Sequence, residues 1–322
     1  MLVTRQTIQQ QALALGFHRV GIAPVPPLDP AMDLPEPEQQ VKVRLQTWLQ
    51  QGYQADMDWM ANVKRQNIRE VMPEVRSLIC VAINYYTGHT RPEGPQYAKI
   101  ARYGWGRDYH RILHKRLKAL SAWLQAQADN IQVRYYADTG PVQDKFWAQQ
   151  AGLGWIAKNG NLITRDYGSW VFLGEVLTNL DLEPDQPHTA HCGTCTRCLD
   201  ACPTEAIRQP GVVDANRCIA YHTIENRADQ IPEPIAQKLN GWVAGCDICQ
   251  DVCPWNLRFA QVTDVEDFQP YPSNVAPILA DLTQLSEAAW EQRFPASALR
   301  RIKPAMWRRN AQAAQSAQSR PR

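Results

Sequence analysis

Nine cysteines carry most of the chemistry that this 322-residue sequence could perform. The first run reads Cys192-x2-Cys195-x2-Cys198-x3-Cys202-Pro203. Thiolates two residues apart in a tight loop reach neighbouring irons of one 4Fe–4S cube. The fourth, a helical turn further on and followed by proline, is directed to a second cluster. The second run, Cys246-x2-Cys249-x3-Cys253-Pro254, lacks one cysteine of that pattern, and Cys218 stands between the runs to supply it. Crossed ligation then gives Cys192, Cys195, Cys198 and Cys253 to one cluster, and Cys202, Cys218, Cys246 and Cys249 to the other. A pair of structural zinc sites is the competing reading, because Cys-x2-Cys also suits zinc. Three thiols at two-residue gaps and a Cys-Pro closing both runs favour clusters. Cys80 lies inside the apolar run Ser77–Ile83 and reads as a small core residue outside the ligand count.

Two clusters conduct electrons and perform no reaction, so residues 1–180 must position whatever receives them. That region mixes helical and strand patterns. Residues 4–16 and 41–51 read as helices, with a Pro- and acid-rich loop from Pro24 to Pro37 between them. Ser77–Ile83, a continuous apolar run rich in branched side chains, reads as a buried strand. The spacing of Ile112, Leu113, Leu117, Leu120, Trp123 and Leu124 predicts a helix over 109–129. Strands follow over 131–137 and 169–178, with a helix over 142–152 between them. The fold class is α+β: a layered domain over 1–180, a ferredoxin-like two-cluster domain over 181–290 and a short helical basic extension over 291–322. After Pro304 the Ala/Gln/Ser-rich composition predicts fraying. No Gly-x-Gly-x-x-Gly or Walker loop supports nucleotide binding.

Apolar residues at 44% and charged residues at 20% are ordinary for a globular enzyme and exclude a disordered or fibrous chain. No apolar run approaches the roughly 20 residues of a membrane span, so no membrane association is expected. The N-terminus has no apolar signal core, which makes the cytoplasm the default address. In that reducing compartment cysteines serve metals or catalysis rather than disulfides. The net charge of +2 conceals an asymmetry: 181–290 holds sixteen acidic and six basic residues, while 292–322 holds eight basic residues and no acidic one. Such a basic stretch suits a polyanion, or is simply a solvated tail.

Several segments outside the cysteines resemble the epoxyqueuosine reductase family. They are Arg102-Tyr-Gly-Trp105-Gly-Arg-Asp108-Tyr-His110, Asp138-Thr139-Gly140-Pro141, Ala151-Gly-Leu-Gly-Trp155-Ile-Ala-Lys158-Asn159 and Gly168-Ser-Trp-Val-Phe-Leu-Gly-Glu175. The likeness runs in order from about Arg65 to about Asn256 and returns weakly at Arg308-Arg309-Asn310. It implies a cobalamin-dependent oxidoreductase that reduces the epoxide of epoxyqueuosine at the tRNA wobble position, completing queuosine and releasing water. The clusters would feed the corrin cobalt one electron at a time from a low-potential donor. Carried over residue by residue, Asp138 is the family's proton donor, and Arg65, Asp138, Asp144, Asn159, Leu162, Leu173, Ala220 and Asp247 face the corrin.

An alkoxide leaves poorly without a proton, so Asp138 would need a raised pKa, from burial or a neighbouring carboxylate. Taken without the resemblance, Asp138 reads as a turn residue holding the Gly-Pro bend. The sequence holds no Asp-x-His-x-x-Gly motif for a lower cobalt ligand: Asp108-Tyr109-His110 begins it, but Leu113 stands where glycine should be. His188 and His191 read as loop histidines, and no tryptophan is assigned. The tRNA anticodon loop would present an unstacked base to a pocket. Trp307 among Arg300, Arg301, Arg308 and Arg309 could hold its phosphates. Longer family members continue into a helical-repeat domain after the position of Asn310, so the grip on tRNA is expected to differ. A monomer is expected. The alternatives are another corrinoid iron–sulfur reductase of small molecules, like the reductive dehalogenases, or a ferredoxin-like electron carrier with no substrate of its own.

Overall fold

The structure, a computed structural model, describes residues 3–28 and 34–318. Part of the proline-rich loop, together with Arg320 and Arg322, lies outside the described residues. The run Ser77–Asn84 forms strand β2, buried along its whole length. It is buried because it lies inside a four-stranded antiparallel sheet. β1 (Arg19–Pro24) and β4 (Val171–Thr178) flank it, and β3 (Val133–Tyr136) pairs with the outer side of β4. Alternate side chains serve opposite faces. Ile79, Val81 and Ile83, with Phe172 and Val176, pack against α1 (Arg5–Ala14) and α3 (Tyr109–Gln125), with α2 (Glu36–Gln50) between them in the chain. Leu78, Cys80, Ala82 and Leu177 face α4 (Asp144–Gln150) and its Phe146, Trp147 and Ala148. Cys80 is therefore a core residue, fully buried opposite Gly21 and Glu175. Gly21 is required for this packing: a Cβ there would stand 2.0 Å from the Ala151 carbonyl oxygen that follows α4.

α3 starts at Asp108, whose carboxylate accepts the His110 amide and caps the helix. This places Tyr109 and His110 in the first turn, at the edge of the sheet where β3 ends.

Beyond the sheet the chain runs in short pieces around another core. It joins Ile100 and Trp105 to α5 (Ile219–Ile224), β5 (Trp242–Ala244) and the C-terminal helix α7 (Pro304–Gln318); a further short helix, α6, spans Pro254–Phe259. The expected fraying after Pro304 does not occur over the described residues, which form one helix to Gln318. Ala311 and Ala314 are fully buried, and their small side chains let α7 lie close against its neighbours. Trp307 is buried too and stacks on Phe294 with centroids 4.7 Å apart. The Arg309 guanidinium is also interior, donating to the carbonyls of His222 (2.8 Å) and Asn226 (2.9 Å). Asn310 donates to Thr223 and Val243. The carbonyls of the last turn of a helix have no intrahelical partner, and these side chains fill that need for α5. Trp307 and Arg309 thus leave the expected phosphate-binding group. Arg308 donates to the Leu285 carbonyl, while Arg301 and Lys303 stay exposed. No helix among the described residues is long and apolar enough to cross a membrane.

Candidate functional site

The eight cysteines gather as the crossed spacing predicts. Cys192, Cys195, Cys198 and Cys253 line one cavity of about 140 Å³. Cys202, Cys218, Cys246 and Cys249 line a second, of about 360 Å³. Short helices set the thiols. Cys198 lies within Arg197–Asp200 and Cys249 within Ile248–Asp251, while Cys218 and Cys253 stand at the N-caps of α5 and α6. Lys158 pins the first loop by donating to the carbonyls of Gly193 (2.7 Å) and Cys195 (3.0 Å). Asn159 borders both cavities and donates to the Cys249 carbonyl at 3.3 Å. Burial pushes the Cys218, Cys246 and Cys249 thiols up, so ionising them calls for a strong local positive charge such as iron. Among the described residues no three His, Cys, Asp or Glu side chains converge on a point that would hold a single metal ion.

Asp138 follows β3 in the left-handed backbone region, φ 61°, a conformation that aspartate tolerates better than most residues. Its Oδ2 accepts hydrogen bonds from the Tyr109 hydroxyl (2.8 Å) and pairs with His110 Nε2 (3.1 Å). His110 Nδ1 lies 2.7 Å from Asp108. Phe172 stacks under Tyr109, 4.1 Å away and 7° from parallel, and fixes the ring. Burial alone would lower the His110 pKa. The hydrogen bonds to Asp108 and Asp138 outweigh it and raise it from 6.5 to about 9. The His110 bond holds Asp138 below the ordinary carboxylate range, with Tyr109 assisting. Asp138 is therefore not the neutral acid that the sequence argument required. At neutral pH the proton resides on His110, and Asp138 is a carboxylate whose side chain is 59% exposed.

The raised carboxyl lies elsewhere. Burial pushes both Asp144 and Glu175 up; Asp144 raises Glu175 further, while the hydrogen bond from Glu175 offsets part of the rise at Asp144. Tyr109, His110 and Glu175 fall within the segments that resemble the family, but no local pattern marks Glu175 as buried or brings Tyr109 and His110 to Asp138.

Two family models match the chain: "Epoxyqueuosine reductase QueG, DUF1730" over residues 65–139 and "4Fe-4S double cluster binding domain" over residues 191–256. An epoxyqueuosine reductase from Synechocystis sp. is 63% identical over 91% of this chain and 99% of its own. The chain belongs to the epoxyqueuosine reductase family. A relative of the same name from Gloeobacter violaceus is 50% identical over 98% of this chain and 96% of its own. Among solved structures, an epoxyqueuosine reductase holding an epoxyqueuosine-modified tRNA-Tyr stem loop superposes with a TM-score of 0.83 at 30% identity, covering 96% of this chain and 80% of that one. The Bacillus subtilis epoxyqueuosine reductase with its catalytic aspartate loop swung out of the active site superposes with the same TM-score at 29% identity, with the same coverage. The family assignment sets aside the dehalogenase-like and electron-carrier alternatives, and the double-cluster match sets aside zinc.

The residues that the family resemblance placed around a corrin do not all face one opening. Asn159, Ala220 and Asp247 line the cavity of the second cysteine set, with Tyr103, Lys145 and Asn161. Asp247 is buried and accepts from the Arg102 backbone amide at 2.8 Å, which also orders the loop between Cys246 and Cys249. Leu162 is buried in the sheet-side core, and Leu173 packs against that core. Arg65 donates to the carbonyls of Gly140 (3.0 Å) and Val142 (3.2 Å), restraining the Asp138 loop, and lies 4.7 Å over the Trp59 ring.

Proposed function

We propose that this chain reduces epoxyqueuosine to queuosine at the wobble position of tRNA, with Asp138 as the group that hands a proton to the departing oxygen. One juxtaposition carries the reading. The Asp138–Tyr109–His110 group adjoins Tyr103, which stands edge-on to Tyr109 and lines the cavity of the second cysteine set.

At about 360 Å³ that cavity is too small to enclose cobalamin beside the cluster, but its lining suits one edge of a corrin. Ala101, Ile219, Ala220, Ile224 and Ile248 offer an apolar wall, and Lys145, Asn159 and Asn161 offer polar groups for a macrocycle fringed with amides. Bound at this edge, cobalamin would supply low-potential electrons for the epoxide, and Cys202, Cys218, Cys246 and Cys249 would hold the cluster in the same cavity. Cys192, Cys195, Cys198 and Cys253 would hold the other cluster, whose chemistry would be one-electron relay from an external low-potential donor.

The chain's own residues manage protons. Reduction of the epoxide to the alkene takes two electrons and two protons, and the oxygen leaves as water. His110 holds one proton at neutral pH and bonds it to Asp138. Asp138 passes it to the oxygen as the C–O bond breaks and is recharged through His110. Tyr109 keeps the Asp138 carboxylate aimed. Arg301 reinforces the positive side of this rim: it lowers the Asp138 pKa through space and is held by Glu225 through two contacts of 2.6 Å. With Arg300 and Lys303, both set against the Trp290 ring, it offers cations to the tRNA backbone. Action on tRNA supports a cytoplasmic enzyme, and a monomer is supported by all the groups named here belonging to one chain.

The test is Asp138→Asn, loaded with both clusters and cobalamin and given tRNA containing epoxyqueuosine. The variant should keep both cofactor spectra and lose turnover. Full turnover would remove Asp138 from the reaction.

A further inference from the structure

Glu175 is the least expected side chain in the sheet. It sits in the middle of β4, fully buried, opposite Tyr136 of β3 and Cys80 of β2, on the face covered by α4. Neither of its carboxyl oxygens has a hydrogen-bond donor among the described residues. The Oδ1 of Asp144, the first residue of α4, is sealed and unpartnered in the same way. The two carboxyls are within hydrogen-bonding reach of each other. Acceptor-only oxygens in contact, shut away from water, are stable only if a proton lies between them. The other ionisable groups facing the pair are Cys80 from β2, Asp138 and Arg65 from the loops, and Lys145 from α4. Cys80 is kept neutral by burial and by these same two carboxyls. Arg65 and Lys145 both face Asp144 and Asp138; of the two, Arg65 holds the loop, donating to the carbonyls of Gly140 and Val142, while Lys145 donates to Gly160.

We propose that Asp144 and Glu175 share a single proton, and that the one negative charge left on the pair anchors Arg65 and, through it, the loop that carries Asp138. With both carboxyls ionised, two charges would repel in a dry site beside a third at Asp138. With both neutral, the half-buried Arg65 would lose a counter-charge. One shared proton is the state that satisfies all four groups. Glu175 and Asp144 are then positioning residues. They touch no reacting atom, and they decide whether residues 137–143 stay closed over the site. A swung-out catalytic loop in the Bacillus subtilis relative indicates that such a loop has an open alternative. The loop's importance to turnover rests on Asp138 as the acid; its attachment to Arg65 does not.

The experiment uses the cluster-loaded, cobalamin-free protein at neutral pH, so its outcome is independent of the activity assay. Infrared difference spectra between wild type and the double variant Asp144→Asn with Glu175→Gln should show a protonated-carboxyl C=O band in the wild type alone. Its absence from the wild type overturns the shared proton. Hydrogen exchange of the loop amides over 138–143 then reads the latch. Asp144→Asn should speed it on the order of tenfold, the scale of removing a nearby opposite charge from a partly buried guanidinium. Glu175→Gln, which still donates to Asp144 and leaves its charge, should stay within about twofold of wild type on that scale. Arg65→Lys keeps the charge but not the planar fork and should match Asp144→Asn, which keeps the test valid if Asp144→Asn does not fold. Unchanged exchange in Arg65→Lys, or equal acceleration in Glu175→Gln and Asp144→Asn, overturns the latch.

Discussion

Asp108→Asn separates the two carboxylates that keep His110 charged. Asparagine caps a helix as well as aspartate does, so the start of α3 should survive. The pair of carboxylates lifts His110 from 6.5 to about 9. Their shares are unequal: Asp108 is the closer partner at 2.7 Å and is 22% exposed, whereas Asp138 stands 3.1 Å away and is 59% exposed. Solvent screens the exposed partner, so Asp108 carries the larger part. Its loss should lower His110 by about 1–2 pH units, roughly 1.5–3 kcal/mol before screening. The sign of the stability change follows from a raised histidine pKa. Stabilisation by the ion pair is fully present below 6.5 and is lost as pH rises through about 9. Imidazole NMR of the cobalamin-free protein should show a His110 midpoint near 9 in the wild type and below 8 in the variant, about a unit down at least. The alkaline limb of the turnover profile should move with it. A wild-type midpoint near 6.5, or a variant midpoint still near 9, would refute the assignment of the proton to His110.

Two further outcomes follow from the cysteine sets and the C-terminal core. Cys218→Ser should lose about four irons per chain and the spectrum of one cluster, while Cys80→Ala should keep the full iron content; iron analysis with electron paramagnetic resonance decides both. Trp307→Ala should cost about 3–5 kcal/mol, because it empties an interior site stacked on Phe294. Thermal unfolding should show a clear drop, and a surface role for Trp307 would leave the midpoint unchanged.

The cluster ligands were legible because their chemistry is local. Three cysteines within seven residues, closed by Cys-Pro, define a loop whatever the rest of the chain does, and Cys218 followed from the gap they left. β2 was legible because an uninterrupted apolar run has no face to give to water. The position of Asp138 was legible as the end of a strand, but its protonation was not. Tyr109 and His110 arrive from 29 and 28 residues earlier in the chain, and only the sheet brings them to the carboxylate. Glu175 carried no signal of its own within the expected strand over 169–178. That β4 is an inner strand, covered by α4 on that face, is a tertiary fact. The composition after Pro304 suggested fraying, since Ala311 and Ala314 offer little apolar area. Their value lies in close approach to β5 and its neighbours, which no local pattern states. Arg309 reads from sequence as a phosphate ligand and becomes an internal donor because α5 ends beside it.

The central claim is that this chain turns epoxyqueuosine into queuosine using two clusters and cobalamin. The most direct measurement is anaerobic reconstitution of the full chain with iron, sulfide and cobalamin, followed by a low-potential reductant and tRNA bearing epoxyqueuosine. Mass spectrometry of the digested nucleosides reads the result. Queuosine should appear, one oxygen lighter than its precursor, only when both cofactors are present. Protein that holds both clusters and cobalamin yet leaves the epoxide intact would contradict the account.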